Sequence, residues 1–205
     1  MSTARIERRS HAVRRDEAEQ RLLAAAVRLV GEQGLDRLTL ADVGEAAGYS
    51  RGLPAHYFGS KAGLIVALAR HLVEGFGHAL ERAEHHRPGL ARLLGAAAFY
   101  FDSARKEPAG TRALFVLLGD ALSNPLIRDQ IAALNARSAK AFAVNLRAAI
   151  AAGEVRPEID AAAQGFLVLS TLRGAVSQWL LAPDAIDLVA VRDEVIAALE
   201  RSLAR

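Results

Sequence analysis

The stretch from Thr39 to Lys61 reads Thr-Leu-Ala-Asp-Val-Gly-Glu-Ala-Ala-Gly-Tyr-Ser-Arg-Gly-Leu-Pro-Ala-His-Tyr-Phe-Gly-Ser-Lys, two short helical runs separated by a turn. Thr39 with Asp42 makes a capping box, and Leu40, Val43 and Ala47 form one apolar stripe. Gly48 is placed to take the positive φ that ends the first run. Ser50 is expected to cap the second helix, with Arg51, Gly52 and Leu53 at its start. On spacing alone this is either a helix-turn-helix or an ordinary helical hairpin.

Working outward, apolar residues recur at three and four along the whole chain, and no strand-like alternation competes, so the expected fold class is all-α. A first helix is expected over about 17–32, with Leu22, Leu23, Ala26, Leu29 and Val30 on its buried face and Gly34 at its end. A long helix follows Ser60 and continues to about His86, before Pro88-Gly89. Further helices are expected over about 90–105, 110–118, 126–152, 159–181 and 185–203. Three segments result: a basic flexible arm over 1–15, a helix-turn-helix domain over 16–62, and a helical domain over 63–205.

With 205 residues, 52% of them hydrophobic, the chain can bury a substantial core. The longest uncharged run, Ala161 to Leu172, is too short to cross a bilayer, and no amino-terminal signal segment is seen. A cytoplasmic protein that does not engage a membrane is expected. Zero cysteines exclude disulfides, thiolate metal sites and cysteine nucleophiles. Arg5, Arg8, Arg9, Arg14 and Arg15 against Glu7 leave the first fifteen residues at +4, more than the whole chain's +3, so the remainder is slightly acidic. The basicity sits in a terminal segment suited to phosphates or a minor groove, or simply to solvent.

No nucleophile elbow, phosphate loop or metalloprotease motif is present, so no residue stands out as catalytic and no cofactor is expected. His71, Glu74, His78, Glu81 and His85 recur at three and four, but they cluster within about 80° of the helical wheel, opposite the apolar stripe. Successive histidines there are about 10 Å apart, so the face reads as solvated rather than as a metal site.

The Thr39–Lys61 segment, with the helix before it, resembles the DNA-binding domain of the TetR family of transcriptional repressors. Thr39, Ala47-Gly48, Ser50-Arg51-Gly52, His56-Tyr57-Phe58 and Ser60-Lys61 carry the resemblance, which spans about a quarter of the chain, Glu17 to Leu64. Three positions depart from the pattern: Tyr49 replaces a common valine, Pro54 an aliphatic residue, and Ala55 a tyrosine. Pro54 also lacks the amide for a helical bond to the Ser50 carbonyl and pushes Leu53 away from helical angles. Only three of 26 basic residues are lysines, so a lysine at the motif's closing position, Lys61, is informative.

The resemblance implies a homodimer that binds a double-stranded DNA operator of palindromic form and is released by a small, apolar inducer. It places Arg51, Gly52 and Leu53 near base edges, and Thr39, His56, Tyr57 and Lys61 at phosphates, with Ser50 as the cap. It also makes the second domain a ligand-binding and dimerisation domain, whose last two helices pair across the two-fold axis. Six of seven phenylalanines and the only tryptophan follow the motif, so an apolar cavity is expected there. Its candidate lining is Phe99, Phe115, Phe142, Phe166 and Trp179, with Asp120, Arg173 and Gln178 as polar groups. The alternative is a helical small-molecule-binding protein or enzyme whose amino-terminal domain no longer reads DNA.

Overall fold

A computed structural model of the chain describes the backbone of residues 3–83 and 87–204, and the side chains of residues 13–75 and 87–204. Among the described residues there are nine helices and no strand. They are α1 (Thr3–Gln33), α2 (Leu40–Ala46), α3 (Leu53–Phe58), α4 (Lys61–Ala83), α5 (Leu90–Lys106), α6 (Pro108–Asp120), α7 (Pro125–Ala151), α8 (Ala161–Leu181) and α9 (Leu188–Leu203). The chain divides into two units.

The first unit runs to Leu72, beyond the boundary expected at residue 62, and includes Arg112–Arg128. Its core draws Leu22, Leu23, Ala26 and Val30 from α1, Leu38 from the following turn, Val43 from α2 and Leu64 and Leu68 from α4. The first helix is longer than expected: it begins at Thr3, so residues 3–15 are helical backbone rather than a flexible arm. No glycine or proline interrupts residues 3–30, and arginine, alanine and glutamate are all good helix formers. The arginines up to Arg9 lie outside the described side chains.

The second unit comprises Val73–Thr111 with the chain from Asp129 onward. Here α5 packs against α8 and α9, and α8 against α9. Its core includes Leu93, Ala97 and Phe101 of α5, Leu134, Phe142 and Leu146 of α7, Val168, Leu172 and Val176 of α8 and Leu203 of α9. Gly165 lets α7 and α8 touch: a Cβ there would sit 2.6 Å from the Ala139 carbonyl oxygen and 2.8 Å from the Ala143 nitrogen. Asp160 and Asp187 set the starts of α8 and α9, each accepting two backbone amides, so these helices begin at Ala161 and Leu188. The expected starts at 159 and 185 overlooked those caps.

Candidate nucleic-acid interface

In the first unit the chain leaves α1 at Gly34, and Leu35 and Leu38 turn inward. Thr39 then caps α2 as expected, its hydroxyl accepting the Asp42 amide at 3.1 Å. The exposed hydroxyl still has a proton to donate. Gly48, at φ +76°, ends the helical run, and the Tyr49 amide returns to the Gly44 carbonyl at 2.8 Å. Arg28 of α1 donates to the Ala46 carbonyl at 3.2 Å, fixing the end of α2.

The turn closes at very short range. A Cβ on Gly44 would lie 2.6 Å from the Ser50 carbonyl oxygen and 3.2 Å from both the Arg51 Cα and the Pro54 Cδ. Gly44 is buried and so is Pro54. Pro54 is therefore a packing residue of the turn. The sequence held one signal of this contact: a glycine in the middle of a seven-residue helix, where it costs about 1 kcal/mol against alanine.

Ser50 does not cap α3. The helix starts at Leu53, with Gly52 at the cap position and no side-chain cap bond, while the Ser50 carbonyl accepts the Leu53 amide at 3.1 Å in a turn. The physical reason is Pro54. A helix beginning at Ser50 needs an amide at position 54 to reach that carbonyl, and proline has none. Starting later puts the proline in the first turn, where an amide is not required. Leu53 is helical despite preceding a proline, contrary to expectation, and Arg51 and Gly52 lie in the turn ahead of the helix.

Thr39, Ser50, Arg51, Gly52, His56 and Lys61 are exposed, and Leu53 and Tyr57 are half-buried. His56 meets the Tyr57 ring edge-on at 6.0 Å, and the Arg15 guanidinium lies 5.8 Å from the centre of the Tyr57 ring on its other contact. Arg51 is paired with Glu45 of α2 at 3.1 Å; both are well exposed, so the pair is easily exchanged for another partner. Lys61 Nζ donates to the Asp36 carbonyl at 2.8 Å, which ties the start of α4 to the loop after α1. Ser60 accepts the Gly63 amide at 3.1 Å and so caps α4. The Arg15, Glu45 and Asp36 contacts are tertiary, and no local motif announces them.

The residues expected around a cavity are not gathered in one unit. Phe115 and Asp120 belong to the first, the other six to the second. The Asp120 carboxylate accepts from Asn124 at 2.7 Å at the end of α6, a role in closing the helix. Phe142 is buried, and Phe99, Arg173 and Trp179 are half-buried. Phe166 is 62% exposed and Gln178 is also exposed, so neither lines the interior of this chain. On α8 the spacing sends Gly165, Val168, Leu169, Leu172 and Val176 inward, which leaves 166, 167, 170, 171 and 174 on the opposite side. Arg173 bonds to Asn135 and faces Tyr100, two residues outside the expected lining that no local pattern marks. His78, Glu81 and His85 lie outside the described side chains.

Residues 22–68 match the family model for bacterial regulatory proteins of the tetR family. The HTH-type transcriptional regulator BetI of Serratia proteamaculans is 29% identical over 167 residues, 76% of this chain and 82% of that one. Among solved structures, a transcriptional regulator from Saccharomonospora viridis in complex with choline superposes with a TM-score of 0.84 at 19% identity, over 93% of this chain and 99% of that one.

 The transcriptional regulator FadR from Bacillus subtilis, in complex with stearoyl-CoA, gives a TM-score of 0.75 at 20% identity over 90% of this chain and 98% of that one. At these identities the two structures establish a shared fold.

Proposed function

We propose that the chain, a tetR-family transcriptional regulator rather than an enzyme, is a cytoplasmic repressor that binds a palindromic operator as a homodimer. In this reading a small molecule entering the second unit releases it. One observation carries the DNA-binding part: the exposed residues from Thr39 to Lys61 are mounted on a turn whose backbone closes at contact distance around Gly44. Such a turn holds Arg51, Gly52 and Leu53 in register with base edges, and His56, Tyr57 and Lys61 with phosphates.

Support for a homodimer comes from α8. Phe166, Leu167 and Leu181 are 62%, 54% and 80% exposed, next to the small exposed residues Ala162, Ala163, Ser170 and Gly174. Large apolar side chains on one long helix face are costly to leave in water, and a second copy of α8 covers them. A dimer then presents two α3 helices to successive major grooves about 34 Å apart. A ligand that changes their separation by a few ångströms removes contacts on both half-sites together. The solved neighbours hold choline in one case and stearoyl-CoA in the other, so likeness of fold leaves the charge of this chain's ligand open.

The test is a gel shift of the purified protein on its own upstream DNA, with Lys61→Ala and Tyr57→Ala alongside, and sedimentation at micromolar concentration. Sequence-preferring binding that weakens with salt, reduced in both variants, is the expected result. A monomer, or no salt-sensitive binding, overturns the reading.

A further inference from the structure

Among the described residues of the second unit, one guanidinium has neutral partners and no carboxylate. Arg173 of α8 is half-buried and donates through Nη1 to the Asn135 side-chain oxygen of α7 at 2.5 Å. Tyr100 of α5, 6% exposed, faces the same guanidinium; burial raises its hydroxyl pKa and the neighbouring positive charge opposes the rise. Among the described residues no carboxylate pairs with Arg173, and its Nε, shut off from solvent, has no acceptor. Arg192 of α9, in the same unit, shows the contrast: it pairs with both Asp102 and Asp193.

The helices around Arg173 supply apolar surroundings. Phe101 on α5, Leu134 on α7, and Leu169, Leu172 and Val176 on α8 are all buried. A cation withdrawn from water into such a place is costly unless an anion comes with it. Asn135 and Tyr100 orient the guanidinium without cancelling its charge. Its planar fork of five donors matches a carboxylate; one donor goes to Asn135, another bonds the Tyr100 hydroxyl, and Nε is left without an acceptor.

We propose that Arg173, positioned by Asn135 and Tyr100, receives the carboxylate of an otherwise apolar effector. This deepens the reading of the second unit as a ligand-binding domain and rests on it. It replaces a purely apolar ligand by an amphiphilic organic acid.

The experiment measures thermal shift and calorimetric binding of the full chain, off DNA, with hexanoate, decanoate and benzoate, each against its neutral amide. At least one acid is expected to raise the melting temperature and to bind about tenfold tighter than its amide, the difference expected for a charge-assisted bidentate contact. Arg173→Gln, with helical content confirmed by circular dichroism, brings the acid down to the level of the amide. No binding by any acid, equal binding of acid and amide, or a preference that survives Arg173→Gln overturns the proposal. A second variant needs no ligand: Arg173→Met with Asn135→Leu removes the charge and its acceptor together. Its unliganded melting temperature is expected to equal or exceed the wild type's, because an uncompensated charge has been removed. A marked fall identifies Arg173 as a structural arginine and overturns the proposal. Operator release is scored separately. Acid binding without release leaves the Arg173 site standing and removes the induction reading; operator binding released by other ligands, with no acid binding, does the reverse.

Discussion

Replacing Gly44 by alanine adds one methyl group at the tightest point of the helix-turn-helix. The new Cβ lies 2.6 Å from the Ser50 carbonyl oxygen, so the α2–α3 turn must move by several tenths of an ångström. Two terms oppose each other. Alanine favours the helical backbone of α2 by about 1 kcal/mol over glycine. Overpacking costs about 1–3 kcal/mol, toward the upper end here because the obstructing atom is backbone and cannot rotate away. The net expectation is a loss of about 1–2 kcal/mol, a fall of about 2–4 °C in melting temperature per kcal/mol for a chain of this size. DNA affinity should suffer more, since Arg51 and Leu53 ride on the displaced turn. Calorimetry and a gel shift measure the two effects. Adding Pro54→Ala relieves the 3.2 Å contact with the proline ring but not the carbonyl contact, so the double variant should not recover. A Gly44→Ala protein at least as stable as the wild type, with undiminished operator affinity, refutes this account of the turn.

Three further outcomes follow from the same geometry. Thr39→Ala removes the acceptor of the Asp42 amide and should cost about 1 kcal/mol in urea or thermal unfolding, whereas Thr39→Ser should cost much less. Lys61→Ala should lower the slope of log affinity against log salt by about 1 if its ammonium leaves the Asp36 carbonyl for a phosphate, measured by titrating the operator complex with salt. Burial holds the Tyr100 hydroxyl above the ordinary tyrosine pKa of 10.0, so folding favours its protonated form. Its contribution to stability is complete below pH 10.0 and is lost as pH rises through the folded value. In an absorbance titration of phenolate, one of the chain's three tyrosines should therefore ionise late, and Tyr100→Phe should abolish that late component.

The sequence by itself determined the helical class, the Thr39 cap and the positive φ at Gly48, because each depends on neighbours within a few residues. The helix ends around proline and glycine were legible for the same reason, and errors of a few residues arose where Asp160 and Asp187 capped the next helix. Ser50 has the chemistry of a cap, but Pro54, four residues on, controls where the helix can start. Only the tertiary structure decided that Gly44 and Pro54 meet across the turn, that Arg51 is held by Glu45 and Lys61 by the Asp36 carbonyl, and that Phe166 faces outward. It also brought Tyr100, Asn135 and Arg173 together from three helices separated by dozens of residues. Helical periodicity assigns a side chain to a face. Which face meets which, and whether a buried charge finds a counter-charge there, is decided by packing between elements that carry no local mark of one another.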